Sequence, residues 1–207
     1  SNRAWIERHI NDPFVKKSRR EGYRARSVYK LTELDDTEHL FRPGMNVADL
    51  GSAPGSWTQI VRERLTDKNG ELKGRIIAMD ILPMEPIDGV TFLQGDFREQ
   101  EVADKLNEIL GGDKLDVVIS DMAPNLSGIA MVDANASLLL NELALDFAVE
   151  HLKPEGVFVT KAFQGSGYSQ FIENCKKHFV SVAQRKPEAS RNSSAEMYVV
   201  ARRLKQK

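Results

Sequence analysis

A glycine-rich turn and three acids that follow apolar runs mark where this sequence could do chemistry. The run DLGSAPGSW, residues 49–57, closes a short apolar stretch and opens a segment of helical character. Gly51 and Gly55 stand where the chain must turn tightly and let its backbone approach a ligand. A dinucleotide-binding turn places a further glycine between them, so that a pyrophosphate can reach the helix N-terminus, and here Ala53 holds that place. The pattern points away from NAD. Asp80, 29 residues after Gly51, ends the next apolar run and is placed to accept hydrogen bonds from ribose hydroxyls. Asp96, in Gly95-Asp96-Phe97, ends the third run and is placed to read an adenine amino group. A single loop acid is commonly only a helix cap or an Asx turn. Acids at three successive strand ends around one glycine turn form a more specific set, suited to a cationic nucleoside such as S-adenosylmethionine with its sulfonium.

Lys161 and Asp121 form a second group. Lys161 follows the apolar residues 157–160, which would partly desolvate it, and Asp121 ends the run 115–120, with Pro124 close behind. A lysine so placed has two uses. Burial and a nearby cation favour the neutral amine, a general base; nearby carboxylates favour the ammonium, which would stabilise a developing alkoxide. Lys30 reads on its own as one more cation of a basic N-terminal helix, and Glu196 as a lone acid able to pair with Arg191. Trp57, Tyr29 and Phe163 are compatible with ordinary packing, and base stacking by Tyr29 or Tyr23 is a secondary reading. His9, His39, His151 and His178 have no metal-ligand spacing, so no metal site is expected.

Alternating strand and helix segments must hold these groups. Strands are predicted at 46–50, 75–80, 90–94, 115–120 and 157–162, with helices at 56–65, 99–110, 136–152 and 168–178. Gly111-Gly112 and the Lys153–Pro154–Glu155–Gly156 run supply stop signals. Strands at 179–184 and 197–202 leave no room for a crossover helix and should pair antiparallel. Repeated βα units predict a mostly parallel sheet with helices on both faces and a ligand at the carboxyl ends of the strands. The segment 67–74 reads as a surface loop, and 186–194 as a longer, polar, mobile one.

The formal net charge of −1 conceals segregation. Residues 1–30 hold nine Lys/Arg against three acids, residues 176–207 nine against two, and the intervening body is strongly acidic. Two basic termini predict a polyanion-binding face built from Lys16, Lys17, Arg19, Arg20, Arg24, Arg26, Arg185, Lys186 and Arg191. The 207 residues fit one domain with a basic helical extension over about 1–30. Neither a long apolar run nor an apolar leader is present, and the lone Cys175 excludes an internal disulfide. A cytoplasmic monomer without membrane or DNA partners is expected.

Together these motifs resemble the FtsJ-type (RlmE-like) large-subunit ribosomal RNA 2′-O-methyltransferases of bacteria. The likeness runs from SVYKL at 27–31 through ADLGSAPGSW, LQGDFR, SDMAPNLSG and VTKAFQG to EMYVVA at 196–201. It implies a Rossmann-like S-adenosylmethionine-dependent methyltransferase fold with a seven-stranded sheet whose last strands are antiparallel. It further implies a catalytic tetrad of Lys30, Asp121, Lys161 and Glu196, with cofactor contacts at Gly55, Trp57, Asp80, Asp96 and Asp121. The implied substrate is a uridine of large-subunit ribosomal RNA, read within the ribosomal subunit, with transfer RNA and the messenger cap as alternatives. Ser52 and Ser56 depart from the small residues usual in the glycine loop, and the loop near 67–73 is longer than usual.

Overall fold

A computed structural model of the chain describes residues 2–206. Five strands, β1 (Asn46–Leu50), β2 (Arg75–Asp80), β3 (Val90–Gln94), β4 (Leu115–Ser120) and β5 (Leu152–Phe163), run parallel. Two more, β6 (Phe179–Arg185) and β7 (Glu196–Leu204), complete one sheet of order β3-β2-β1-β4-β5-β7-β6. β7 is inserted between β5 and β6 and pairs antiparallel with both. The helices are α1 (Asn2–Asn11), α2 (Pro13–Glu21), α3 (Val28–Glu38), α4 (Ser56–Leu65), α5 (Gln100–Leu110), α6 (Ala130–His151) and α7 (Tyr168–His178).

Successive strand residues point to opposite faces, and the core splits accordingly. Ala48, Leu50, Val118, Phe158, Val199 and Ala201 pack under α5, α6 and α7. Val47, Val117, Ile119, Val157, Val159, Tyr198 and Val200 pack under α3 and α4. This parity positions the chemistry. Asp121 continues the 117–119 series, Lys161 the 157–159 series and Glu196 the 198–200 series, so all three share the face that α3 covers with Lys30.

Three expectations are corrected. The basic extension does not run as one helical segment to residue 30: α1 and α2 precede a separate α3, whose Val28, Leu31 and Leu34 are core residues. α6 begins at Ala130 rather than 136, because the Asp133 carboxylate accepts from Ser127 N, Ser127 Oγ and Gly128 N and ties down the turn ahead of the helix. The 186–194 segment is docked, not free. Ala189 and Ser190 are buried, Glu33 accepts from Glu188 N and Ala189 N, and Lys186 Nζ donates to Ser190 Oγ, Ser194 O and Glu196 O.

Candidate active site

The strand order reverses between β1 and β4, where Leu50 stands opposite Ser120 and Asp121 N donates to Leu50 O at 3.0 Å. An open parallel sheet leaves its ligand crevice at such a switch point, beyond the strand carboxyl ends. The glycine loop crosses it. A Cβ on Gly51 would stand 2.8 Å from Met122 Cγ and 2.9 Å from Met122 N, so the loops after β1 and β4 approach as closely as they do only because residue 51 lacks a side chain. Gly55, at φ +120°, is the N-cap of α4 and offers no side-chain cap, leaving the first N–H groups of that helix directed at the crevice.

Asp80 braces this loop. Its Oδ2 accepts from Ala53 N at 2.8 Å and its Oδ1 from Leu82 N at 2.9 Å, and each oxygen keeps a lone pair for a ligand. Arg24 ties the same two loops from outside, donating from Nη1 to Pro54 O and Glu85 O and from Nη2 to Pro86 O. Asp96 is gripped through both oxygens by Arg98, whose guanidinium holds the carboxyl below its ordinary range. The Trp57 indole is buried, donates to Ser27 O at 2.9 Å and lies against Tyr198, so what Trp57 can offer the crevice is its backbone N–H in the first turn of α4.

Asp49 lies beneath the loop with no exposure, accepts from Thr58 Oγ1 at 2.6 Å, and leaves Oδ1 without a hydrogen-bond partner. Burial first, and then the charges of Asp121 and Asp80, push its carboxyl up to about 7 against the lowering pull of Thr58. The buried Ser52 hydroxyl also has no partner. Unpartnered polar atoms, an uncapped helix end and spare carboxylate lone pairs around one crevice fit a polar, cationic nucleoside ligand.

Beside this crevice Lys30, Asp121, Lys161 and Glu196 meet. Lys161 Nζ stands 3.2 Å from Asp121 Oδ1, and Lys30 Nζ 2.6 Å from Glu196 Oε1. Register explains the meeting: Ser120 faces Thr160 across β4 and β5, while Lys161 faces Tyr198 and Phe163 faces Glu196 across β5 and β7. Burial raises the Asp121 carboxyl, opposed by Lys161 and Lys30. Burial would also raise Glu196, but the hydrogen bond and charge of Lys30, helped by Ser190 and Lys161, outweigh it and leave that carboxyl below its ordinary value. The four groups thus feel one another's charge. Ser190 Oγ donates to Glu196 Oε1 at 2.7 Å, a contact that no sequence signal in the 186–194 run announced.

The nine cations expected to bind a polyanion have separate fates. Lys16, Arg19 and Arg20 are exposed on α2, and Lys17 lies 4.5 Å from the centre of the Tyr29 ring. Arg26 pairs with Asp12 and donates to Ala189 O; Arg185 pairs with Glu38, Arg191 with Asp12, and Lys186 ties its own loop. Among the described residues no group of three or more His, Cys, Asp or Glu could hold a metal ion, and no helix is long and apolar enough to cross a membrane.

The family described as FtsJ-like methyltransferase has a model that matches residues 23–204. The chain belongs to that family. This FtsJ-like chain is 53% identical over 212 residues to a ribosomal RNA large subunit methyltransferase E of Cupriavidus necator, covering 99% of this chain and 96% of the relative. A Bordetella petrii protein of the same name is 54% identical over 204 residues, with coverage of 99% and 97%. Among solved structures, one described as a ribosomal RNA methyltransferase of Plasmodium falciparum aligns with TM-score 0.77 at 32% identity, covering 89% of this chain and all of that one. Human methyltransferase-like protein 13, solved with SAH, shares the fold at TM-score 0.58 and 18% identity, over 84% of this chain and 79% of that one.

Proposed function

We propose that this chain transfers a methyl group from S-adenosylmethionine to the ribose 2′-hydroxyl of a uridine in large-subunit (23S) ribosomal RNA. The observation that carries the reading is the juxtaposition of Lys161–Asp121 and Lys30–Glu196 in one part-buried cluster beside the glycine-loop crevice. The names of the relatives supply the RNA class.

S-adenosylmethionine, when bound, supplies a methyl group already activated on a sulfonium. Asp80 would hold the ribose hydroxyls of that ligand, Asp96 the adenine amino group, and the backbone of Gly55 and Trp57 its carboxylate at the start of α4. Asp121 faces both the crevice and Lys161, and its negative charge suits a sulfonium. Alignment of the attacking oxygen carries much of the work, in favourable model systems about 7–11 kcal/mol. Acting as the neutral amine, Lys161 takes the 2′-hydroxyl proton as oxygen attacks, while Asp121 orients its Nζ and the Lys30–Glu196 pair fixes the far side of the substrate site.

The test supplies methyl-labelled S-adenosylmethionine to large ribosomal subunits, to naked ribosomal RNA and to transfer RNA, with wild type and Lys161→Ala. A 2′-O-methyl group blocks alkaline cleavage of the adjoining linkage, so label is expected in an alkali-resistant dinucleotide from wild type alone. Label on a base, or undiminished transfer by Lys161→Ala with donor binding intact, would overturn the reading.

A further inference from the structure

We propose that α1 is an RNA-contacting arm, with Trp5 and His9 as a stacking platform for a nucleobase flanking the modified site; this rests on the RNA substrate proposed above. Among the described helices α1 is the one with no buried side chain. Trp5, Ile6 and Ile10 are 54%, 47% and 49% exposed. At about 100° per residue these three and His9 share one face, with Arg3 and Arg8 on its two borders. The Trp5 and His9 rings stack on one another, 5.1 Å apart and 9° from parallel, and the pair stays open to a further ring because Trp5 remains half exposed. An unpartnered aromatic face bordered by guanidinium groups has the chemistry of a single-strand stacking platform.

Its root fixes where the arm points its partner. Asp12, between α1 and α2, caps α2 through Phe14 N and Val15 N and is held by Arg26 and Arg191. Arg26 also donates to Ala189 O, and the neighbouring Ser190 donates to Glu196 of the tetrad. The arm therefore springs from the rim of the catalytic cluster. Ten helical residues extend about 15 Å, the span of four or five stacked nucleotides. Arg3 pairs with Glu7, but Arg8 on α1 and the exposed Lys16, Arg19 and Arg20 on the next helix leave an excess of cations, which favours a polyanion over an uncharged protein groove.

Trp5 and Trp57 are the only tryptophans, and Trp57 is 3% exposed, so an emission change on adding RNA reports Trp5. Deproteinised large-subunit ribosomal RNA should quench the wild type. Trp5→Ala should lose the quench and raise the RNA Kd about tenfold, while Trp5→Phe keeps most of the affinity. The Arg3→Ala/Arg8→Ala pair should flatten the salt dependence of binding. Donor affinity, melting temperature and turnover at saturating RNA should stay at wild-type values. Unchanged RNA affinity in both Trp5→Ala and the arginine pair overturns the arm. So does a Trp5→Ala variant that loses binding to phosphatidylglycerol vesicles but not to RNA, which would assign α1 to a lipid surface. If wild type binds RNA through Trp5 yet labels no ribose, the proposed activity fails and the arm stands.

Discussion

Lys30 on α3 and Glu196 at the head of β7 are separated by 166 residues of chain and by 2.6 Å in space, with side chains 12% and 9% exposed. Removing one partner of such a pair strands the other charge, which typically costs about 3–5 kcal/mol. Ser190 softens the loss for Glu196, so Lys30→Met is expected to cost about 3 kcal/mol in urea denaturation, and the Lys30→Met/Glu196→Gln double variant to cost less than the sum of its two single variants. Strictly additive losses would mean that the two side chains do not interact. Because the Glu196 carboxyl lies below its ordinary 4.5, the pair's contribution is present above that pH and is lost as pH falls through the lowered value. Glu196→Gln should flatten that acid limb.

Asp80 holds two backbone N–H groups and keeps a spare lone pair on each oxygen. Asp80→Ala should weaken S-adenosylmethionine binding roughly ten- to a hundredfold in calorimetry, the size of one lost charge-assisted hydrogen bond with some loosening of the loop. An unchanged dissociation constant would remove Asp80 from the site.

Gly51 and Gly70 both sit at φ near +80°, yet only the first has neighbours within 4 Å of where a Cβ would go. Gly70→Ala should cost about 1 kcal/mol from the left-handed backbone alone. Gly51→Ala adds the collision with Met122 and should cost at least about 1–3 kcal/mol more, along with donor affinity. Equal melting temperatures for the two variants would contradict the close packing of the β1 and β4 loops.

Asp49 makes a pH prediction of opposite sign to Glu196. Its carboxyl is pushed up from 3.8 to about 7, so the folded chain holds this proton more tightly than the unfolded one. The stabilisation is fully present below pH 3.8 and is lost as pH rises toward 7. Asp49→Asn should gain stability relative to wild type across that window and then level off, with about 4 kcal/mol as the upper bound. Chemical denaturation of the donor-free protein at stepped pH measures it; a constant difference would show that Asp49 does not titrate there.

The first four strands, α4 and α7 are found at the bounds that their sequence patterns predict. Each is a short apolar or amphipathic run ended by glycine, an acid or a polar turn, so local chemistry and tertiary packing agree. Lys153–Gly156 read as a helix stop; it lies within β5, but the pairing jumps from Leu115–Leu152 to Val117–Val157, so those residues bulge as their Pro and Gly would suggest. The 186–194 run looked free because two of its anchors, Glu33 and Arg26, are distant in sequence. For the same reason Arg24 and Arg26 read as phosphate ligands, although their guanidinium groups meet carbonyl and carboxylate groups of the chain itself. Lys30 and Glu196 gained a shared location only from the family resemblance.

The insertion of β7 between β5 and β6 makes chain length near residue 196 unforgiving. Adding or deleting one residue while the ladder to β5 stays in place would swap every side chain of β7 to the other side. Glu196 would exchange places with a core position, Tyr198 would leave Trp57, and Lys30 would face an apolar neighbour. Only steps of two preserve the outlook of this strand, so the spacing between Ser190 and Glu196 is itself part of the machinery, as much as the identity of either residue.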